Sequence, residues 1–361
     1  MLYFLHTLTE VSTFFNIFRY ITFRSACASI TALLFSLWAG PAIIAWLKSL
    51  NAVQSQKREH AESIHGFYAH KEKVPSMGGL LIISSLTLSM LLWGNLTNRF
   101  VWLLLVATLW YAAVGFIDDW MKMRSKTSRG LRSFPKMAGQ LAMGIAIGIY
   151  LYLDPDFDKW LYVPLLKKGA FYMGIFFIPF VVIVLVGASN ALNLTDGLDG
   201  LAIGCTLCTC AALGIMSYLV GRVDFASYLS IPYVPEAGEV TVFAAALFGA
   251  SIGFLWFNSY PAEVMMGDTG SLALGGALGT IAVLLKKELV LVIVAGVIVW
   301  EALSVILQVA SFKMFKKRIF KMAPFHHHLQ LMGWPESKVT IRLWILAMIL
   351  AIVGLSTLKV R

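Results

Sequence analysis

Long apolar stretches are the feature that most restricts how this chain can fold. A helix needs about 20 apolar residues to cross the hydrocarbon core of a bilayer, within a range of about 17–25. The segments that approach this requirement are 25–47, 77–96, 100–117, 137–153, 171–189, 200–220, 240–257, 270–285, 289–311 and 342–358. The sequence therefore predicts an all-α, polytopic integral membrane protein, a single domain over residues 1–361 that forms a bundle of ten transmembrane helices.

The composition fits a membrane protein and excludes several other classes. Hydrophobic residues make up 59% of the chain and charged residues 13%, whereas soluble domains have about 45–50% and about 25%. An ordinary soluble globule and a disordered chain are therefore excluded. Nucleic acid is not an expected partner, because the net charge of +10 does not arise from a basic stripe on a soluble module. The sequence has no P-loop, GxGxxG or GxSxG motif, so nothing indicates ATP hydrolysis or dinucleotide chemistry.

Basic residues are distributed unequally between the two sides of the predicted bundle. With an even number of spans both termini lie on one side, and the connecting loops alternate. Seventeen Lys and Arg residues fall in one set of loops, and eleven fall in the other set together with the two tails. The first set comprises 48–76, 118–136, 190–199, 258–269 and 312–341. Because cytoplasmic loops carry the excess of basic residues, we expect this set in the cytoplasm and both termini outside it.

Charged side chains beside membrane spans indicate function by default, and the first such motif is F-I-D-D-W-M-K at the end of the third span. Asp118 and Asp119 precede Lys122 by four and three residues, so on a helix this lysine can neutralise either carboxylate. Carboxylates are normal ligands of Mg²⁺, and two acids at a helix C-terminus oppose the helix dipole. The motif therefore favours a Mg²⁺ or general-base site over the alternative, an acidic helix end that a lysine corrects.

A second motif, N-A-L-N-L-T-D-G-L-D-G, repeats a polar side chain every third residue. These residues are Asn190, Asn193, Asp196 and Asp199. The glycines that follow the two acids permit tight turns or close backbone approach. The segment is suited to bind a nucleobase or a sugar through hydrogen bonds, and the alternative is a solvated turn between two spans.

Three further motifs suit phosphate chemistry. In M-G-D-T-G-S, Asp268 lies where a helix N-terminus attracts anions, and it either caps that helix or holds a cation that bridges to phosphate. In P-F-H-H-H-L-Q, His326 and His327 are suited to contact pyrophosphate or to transfer protons near neutral pH. The basic stretch before these histidines equally suits anionic lipid headgroups, and no spaced partner supports a zinc site. In K-V-P-S-M-G-G, Lys73 is a candidate phosphate contact.

Several of these motifs also resemble one known family, the phospho-N-acetylmuramoyl-pentapeptide transferases, which belong to the polyprenyl-phosphate N-acetylhexosamine-1-phosphate transferases. The matching segments are F-I-D-D-W-M-K, N-A-L-N-L-T-D-G-L-D-G-L-A, F-L-W-F-N-S-Y-P-A-E-V-M-M-G-D-T-G-S-L-A-L-G-G and M-A-P-F-H-H-H-L-Q-L-M-G-W-P-E. The resemblance extends over nearly the whole chain. It implies ten transmembrane helices in the bacterial cytoplasmic (inner) membrane, with an active site that faces the cytoplasm.

The resemblance also implies a reaction and a set of site residues. Phospho-N-acetylmuramoyl-pentapeptide would pass from UDP-N-acetylmuramoyl-pentapeptide to undecaprenyl phosphate, a membrane lipid, giving lipid I and UMP in the first membrane step of peptidoglycan synthesis, with Mg²⁺ as cofactor. By motif position the family's catalytic residues correspond to Asp118, Asp119, Asp268 and His326, with Asp268 as the metal ligand. Its substrate-binding residues correspond to Lys73, Asn193, Asp196 and Asn258, and Lys136 matches a lysine of its active site.

Some substrate-binding candidates come from the residues themselves rather than from the family pattern. They are Lys122, Asn190, Asp199 and His327, each chosen for its place within a polar motif. A homodimer is compatible with the resemblance and is included among the expected partners.

Two other functions fit parts of the sequence. A related transferase that uses UDP-N-acetylglucosamine would share most motifs, but A-P-F-H-H-H favours the muramoyl type. A transporter would place its polar site near the membrane midplane and would often show internal repeats. Here the acids of the cytoplasmic loops lie at helix ends, and Glu301 is the acid deep within a span. We expect Glu301 to serve packing or conformation rather than chemistry.

The orientation of the chain can be tested by cysteine labelling. We expect a cysteine at position 126, in a chain whose four native cysteines have been replaced, to react with a membrane-impermeant thiol reagent only from the cytoplasmic side. The reason is the excess of basic residues in the loops that share this side. Labelling of that cysteine only from the periplasm would overturn the assignment.

Overall fold

Helices form nearly all the regular structure of the protein. The computed structural model describes residues 1–10, 12–50, 74–125, 130–164 and 171–359. The α-helices of these residues are α1 Ile21–Ser49, α2 Gly79–Trp93, α3 Arg99–Ser125, α4 Ser133–Leu153, α5 Phe177–Thr195, α6 Leu201–Val220, α7 Val223–Leu229, α8 Ala237–Asn258, α9 Gly267–Leu284, α10 Glu288–Val294, α11 Gly296–Phe315, α12 Phe325–Leu331 and α13 Glu336–Ser356. The other elements are short 3₁₀ helices at Leu2–Glu10, Thr13–Arg19 and Gly174–Phe176, and an antiparallel pair of strands, β1 Trp160–Leu161 and β2 Phe171–Tyr172.

Nine helices of the described residues are long and apolar enough to cross a membrane, which confirms an all-α, multi-pass membrane protein. The expected second span is instead the shorter helix α2, which has 15 residues and lies between Gly78 and Gly94. Glycine lowers helix stability, so the glycines limit the helix although the surrounding residues are apolar. The count of ten spans is therefore not established, and the single-domain organisation stays a prediction.

Three helix boundaries differ from those expected from the sequence. The third span continues to Ser125, so its paired acids lie inside α3 rather than at its end. Two basic side chains in the last turn of α3 interact favourably with the helix dipole. Helix α5 continues to Thr195, so the two asparagines of its polar motif are helical and do not lie in a loop. The expected ninth span breaks at Ala295, between α10 and α11.

Helix α9 lies at the centre of the bundle. Every residue from Thr269 to Leu284 is buried, and the helix packs against α2, α3 and α5. A Cβ at Gly275 would overlap the backbone of Ala188 in α5, and a Cβ at Gly276 would overlap the ring of Tyr111 in α3. Small residues at such contacts let helices approach closely, so these two glycines allow α9 to pack tightly against α5 and α3.

A buried ion pair joins α1 to α8 and to the end of α2. The guanidinium of Arg24 donates to both carboxylate oxygens of Glu239, at 2.5 and 2.8 Å, and to the carbonyl oxygen of Trp93 at 3.2 Å. The backbone N–H of Asn95 donates to the same carboxylate. The side chains of Arg24 and Glu239 are 1% and 10% exposed. Water therefore has little access to either charge if the pair is broken. The pair therefore fixes the relative positions of three helices.

We expect Glu239→Gln to destabilise the protein strongly, because the guanidinium of Arg24 would remain buried without a counter-charge. Breaking a buried pair in this way typically costs about 3–5 kcal/mol. The measurement is the midpoint of thermal unfolding in detergent. Asp224→Asn is the control, since Asp224 pairs with Arg222 at the surface with a side chain 83% exposed, and it should leave the midpoint unchanged. Equal midpoints for both variants would contradict the assigned role of the buried pair.

Candidate active site

Three carboxylates meet where α3 and α9 pack together. Asp118 and Asp119 come from α3, and Asp268 comes from the first turn of α9. One carboxylate oxygen from each residue lies within 4.8 Å of the other two. Asp118 and Asp119 are 2% and 4% exposed. The sequence-predicted acids of two distant motifs are thus brought into one cluster.

Two glycines allow the helices to approach closely enough for this cluster to form. A Cβ at Gly115, one turn before the paired acids, would overlap the backbone carbonyl of Asp268. Gly267, which begins α9, has a φ of +73°, a conformation that side chains other than glycine rarely adopt. A Cβ there would also lie against the carboxylate of Asp119. The backbone on both sides of the cluster therefore requires glycine.

Asp119 caps the N-terminus of α9 across the helix interface. Its Oδ2 accepts hydrogen bonds from the backbone N–H of Thr269 at 2.9 Å and from the Thr269 hydroxyl at 2.8 Å. Acceptors at a helix N-terminus satisfy otherwise free N–H groups and interact favourably with the dipole. The other oxygen, Oδ1, accepts no hydrogen bond within the described part of the chain. Asp119 therefore holds the start of α9 through one carboxylate oxygen only.

Two lysines lie among the carboxylates. The Nζ atom of Lys122 lies 2.6 Å from Asp118 Oδ2, 3.0 Å from Asp268 Oδ2 and 3.8 Å from Asp119 Oδ1. The Nζ atom of Lys136 lies 2.5 Å from Asp268 Oδ2 and 3.6 Å from Asp118 Oδ2. The lysine that sequence spacing placed beside the acid pair thus contacts all three acids. With three carboxylates and two ammonium groups the cluster keeps one unit of negative charge.

Helix α5 and the segment before α4 complete the cluster. The Asn193 amide donates to Asp268 Oδ1 at 2.7 Å and to the Ser271 hydroxyl at 2.8 Å. The backbone N–H of Leu131 donates to Asp118 Oδ1 at 2.6 Å. Each acid is therefore held by at least one hydrogen bond besides its contacts with the lysines.

The donor set of the cluster fits a divalent cation. Oxygen ligands from carboxylates are preferred by hard cations such as Mg²⁺, which typically takes only one or two protein carboxylates. The three carboxylates lie close enough together to hold such an ion. No other group of three or more His, Cys, Asp or Glu side chains is close enough together to hold a metal ion among the residues that the structure describes.

Several predicted binding residues form hydrogen bonds with groups outside the acid cluster. The amide of Asn190 donates to Gln140 in α4. Asn258 donates to the carbonyl of Val264 and accepts from the N–H of Gly200. The Asn190 contact joins α5 to α4, and the Asn258 contacts join the backbone at Gly200 to the loop at Val264. Lys73 lies outside the described residues.

The two acids of the N-A-L-N-L-T-D-G-L-D-G motif differ in their surroundings. Asp196 follows the last residue of α5 and is half-buried. Asp199 is 1% exposed and accepts from the N–H of Ala262 at 3.0 Å, while its own N–H donates to Glu336. Asp199 therefore holds together two loops near the cluster.

The predicted histidines are buried and lie beside the same motif. His326 and His327 are 0% and 1% exposed. The ring Nδ1 and the backbone N of His326 lie 3.1 and 3.2 Å from Glu301 Oε2, and His327 Nδ1 lies 2.9 Å from Gln330. A Cβ at Gly197 would overlap the His326 ring. The histidine element thus packs onto the D-G-L-D turn rather than onto the carboxylates.

The chain shares its sequence with known proteins over nearly its full length. The model of a family described as Glycosyl transferase family 4 matches residues 101–286. The phospho-N-acetylmuramoyl-pentapeptide-transferase of Citrifermentans bemidjiense is 50% identical over 99% of each chain. Those of Desulfovibrio desulfuricans and a Geobacter species are 49% and 50% identical over 99% and 96% of each chain. The chain belongs to the phospho-N-acetylmuramoyl-pentapeptide-transferase family.

Membership in this transferase family confirms the resemblance that the motifs indicated, but the structure also adds residues that sequence reasoning missed. Thr269, Ser271 and Gln140 contact predicted site residues, and Glu301 contacts His326. Glu301 is hydrogen-bonded to a neighbouring helix, as a buried acid in a span should be. This contact forms because α12 folds back onto α11.

We expect Gly115→Ala to lower transferase activity by about 100-fold, since small displacements of reacting groups have effects of that order. The added methyl group would push the backbone of Asp268 away from α3. Gly187→Ala is the matched control, because no atom lies within 4 Å of a Cβ at that helical glycine. Both variants should be compared in turnover and in thermal unfolding. Full activity of Gly115→Ala would show that the close helix contact is dispensable.

Proposed function

We propose that this chain transfers phospho-N-acetylmuramoyl-pentapeptide from its UDP carrier to undecaprenyl phosphate, yielding lipid I and UMP for peptidoglycan synthesis. The observation that supports this most is the buried cluster of three carboxylates and two lysines, in a chain about half identical to curated transferases of that name. In this reaction a phosphate oxygen of the lipid attacks the phosphorus next to the sugar, and the bond from that phosphorus to UMP breaks. The transferring group is highly anionic, so positioning and charge neutralisation dominate catalysis.

The cluster is suited to Mg²⁺, with Asp268 as the principal protein ligand. When bound, Mg²⁺ supplies Lewis-acid stabilisation to a phosphoryl centre. Asp268 is the most exposed of the three acids, at 14% of its side chain, and it stands at a helix N-terminus that favours phosphate. Lys122 and Lys136 already contact Asp268, so they are placed to neutralise phosphate charge.

The two acids of α3 would then have different roles. Asp118 would orient or deprotonate the lipid phosphate, with Lys122 at 2.6 Å adjusting its charge. Asp119 would hold the start of α9 through Thr269 and would act on the metal only from outside its ligand shell. The capping hydrogen bonds of Asp119 support this division.

The nucleotide would bind beside the D-G-L-D turn. Asn193, which contacts Asp268, and the neighbouring Asp196 would hold its polar groups, together with Lys73. Asn190, Asp199 and Asn258 would support the backbone of this region. His326 and His327 are buried and would support the turn from the side opposite the substrate.

The site would face the cytoplasm, where the soluble nucleotide substrate is made, and both termini would lie in the periplasm. The basic loops on that side would attract the polyanionic nucleotide. The acceptor lipid would enter from the bilayer between helices. Association of two copies of the chain into a homodimer stays a prediction.

The reaction can be tested with purified protein in detergent. We expect UMP release from UDP-N-acetylmuramoyl-pentapeptide that requires both undecaprenyl phosphate and Mg²⁺. UDP-N-acetylglucosamine serves as the control donor and should give no release. Release from UDP-N-acetylglucosamine alone would assign the chain to the related transferase activity instead.

The two metal-site roles can be separated by substitution. Asp268→Asn should abolish Mg²⁺-dependent nucleotide binding and nearly all turnover. Asp118→Asn should lower turnover by about 10²–10⁴-fold, as expected for a general acid–base group, and should leave Mg²⁺-dependent nucleotide binding intact. The measurement is a Mg²⁺ titration of nucleotide binding in each variant. If only Asp118→Asn abolishes that binding, the two roles are assigned the wrong way round.

A further inference from the structure

Glu301 and His326 form a buried pair that the metal cluster does not use. Both residues are 0% exposed. Glu301 lies in α11 and His326 at the start of α12, 25 residues later. An unsatisfied carboxylate in such a place is costly, so the contact with His326 is needed to keep Glu301 buried.

One oxygen of Glu301 fixes the histidine at two points. Oε2 lies 3.2 Å from the backbone N of His326 and 3.1 Å from its ring Nδ1. The backbone N–H is a donor, and an ionised carboxylate can only accept, so with Glu301 ionised Nδ1 carries the proton of the second bond. A carboxylate on one ring nitrogen sets which nitrogen the histidine presents elsewhere. The same contact also fixes the plane of the ring.

The other ring nitrogen faces the turn of the polar motif. His326 Nε2 is buried and has no hydrogen-bond partner within the described residues. A Cβ built at Gly197 would overlap this nitrogen, so only glycine lets the ring lie against the turn. Gly197 follows Asp196 directly, and Asn193, which contacts Asp268, lies one helical turn earlier. The pair therefore reaches the segment that the proposed function assigns to the nucleotide.

We propose that Glu301 is a positioning residue for nucleotide binding, which acts by holding His326 with Nδ1 as donor and Nε2 toward the turn at Gly197. This inference rests on the proposed function for the identity of the nucleotide. Glu301 does not touch the reacting atoms. Its loss should therefore weaken binding of the UDP substrate and leave the chemical step largely unchanged.

The first test separates KM from kcat in variants of matched size. Glu301→Met removes the acceptor, and we expect it to raise the KM for UDP-N-acetylmuramoyl-pentapeptide about 10- to 100-fold, the range for loss of a charge-assisted hydrogen bond. Glu301→Gln keeps an acceptor oxygen and should retain much of the wild-type activity. Ser304→Ala is the control, because Ser304 is equally buried on the same helix and its hydroxyl donates to the backbone carbonyl of Glu301 rather than to the Glu301 carboxylate.

Three outcomes would overturn the inference. They are an unchanged KM in Glu301→Met, a fall in kcat without a rise in KM, and a Gln variant as impaired as the Met variant. Gly197→Ala provides a second approach if Glu301→Met does not fold, since its methyl group should displace the ring while Glu301 is intact. We expect it to raise KM in the same way, and a wild-type KM would equally overturn the inference.

A spectroscopic test does not depend on turnover. In full-length protein labelled with ¹⁵N-histidine, Nδ1 of His326 should carry the proton, and Glu301→Met should lose this preference. The His326 signal is identified by its absence from His326→Asn. A wild-type ring with a bare Nδ1 would refute the pair, whatever the enzyme does. If wild-type protein releases no UMP but Nδ1 is protonated, the proposed function fails and the Glu301 contact stands.

Discussion

The contact of Lys122 with three carboxylates is the interaction on which the site depends. Two unit charges about 4 Å apart interact by roughly 4 kcal/mol at an effective dielectric of about 20, so the acids alone would repel one another. Lys122 Nζ lies within 3.8 Å of an oxygen of each acid. Lys136 adds a second positive charge from α4. The acids can therefore remain buried and close together before any ligand arrives.

The helices that carry these groups belong to the core rather than to mobile loops. Helix α9 is buried along its length after its first residues, and Gly115 brings α3 against the backbone of Asp268. The same packing that stabilises the bundle thus sets the distance between the carboxylates. Groups held by a rigid scaffold need little reorganisation when charge develops at a phosphoryl centre.

The sequence predicted the chemical groups of the site better than their contacts. The spacing of Asp118 and Lys122 follows from helix geometry, and the structure has that ion pair. The pairing of Glu301 with His326 depends on how α12 folds back, which no local pattern indicates. Asn258 could be recognised in its motif as a polar side chain. Its hydrogen bonds to the backbone of Gly200 and Val264 could not be predicted, because they depend on the fold.

Helix boundaries were predictable only where hydropathy and helix formation change at the same residue. Around α2 the apolar stretch extends beyond the helix on both sides, so hydropathy alone predicted a full span. In α3 the opposite happened, because polar residues continue the helix beyond the apolar stretch to Ser125. Helix α3 is therefore longer than its apolar stretch, and helix α2 is shorter than its apolar stretch.

The shortness of α2 has a consequence for the depth of the site. Its 15 residues measure about 22 Å at 1.5 Å per residue, less than the hydrocarbon thickness of about 30 Å. The residues before it, from Pro75 to Gly78, are buried, and Gly78 and Gly79 donate to the carbonyls of Met265 and Met266. Non-helical backbone is tolerated at membrane depth only when protein covers it in this way. A covered segment of this kind can lie within the hydrocarbon thickness that α2 does not span, and the start of α9, which is hydrogen-bonded to it, can lie there too.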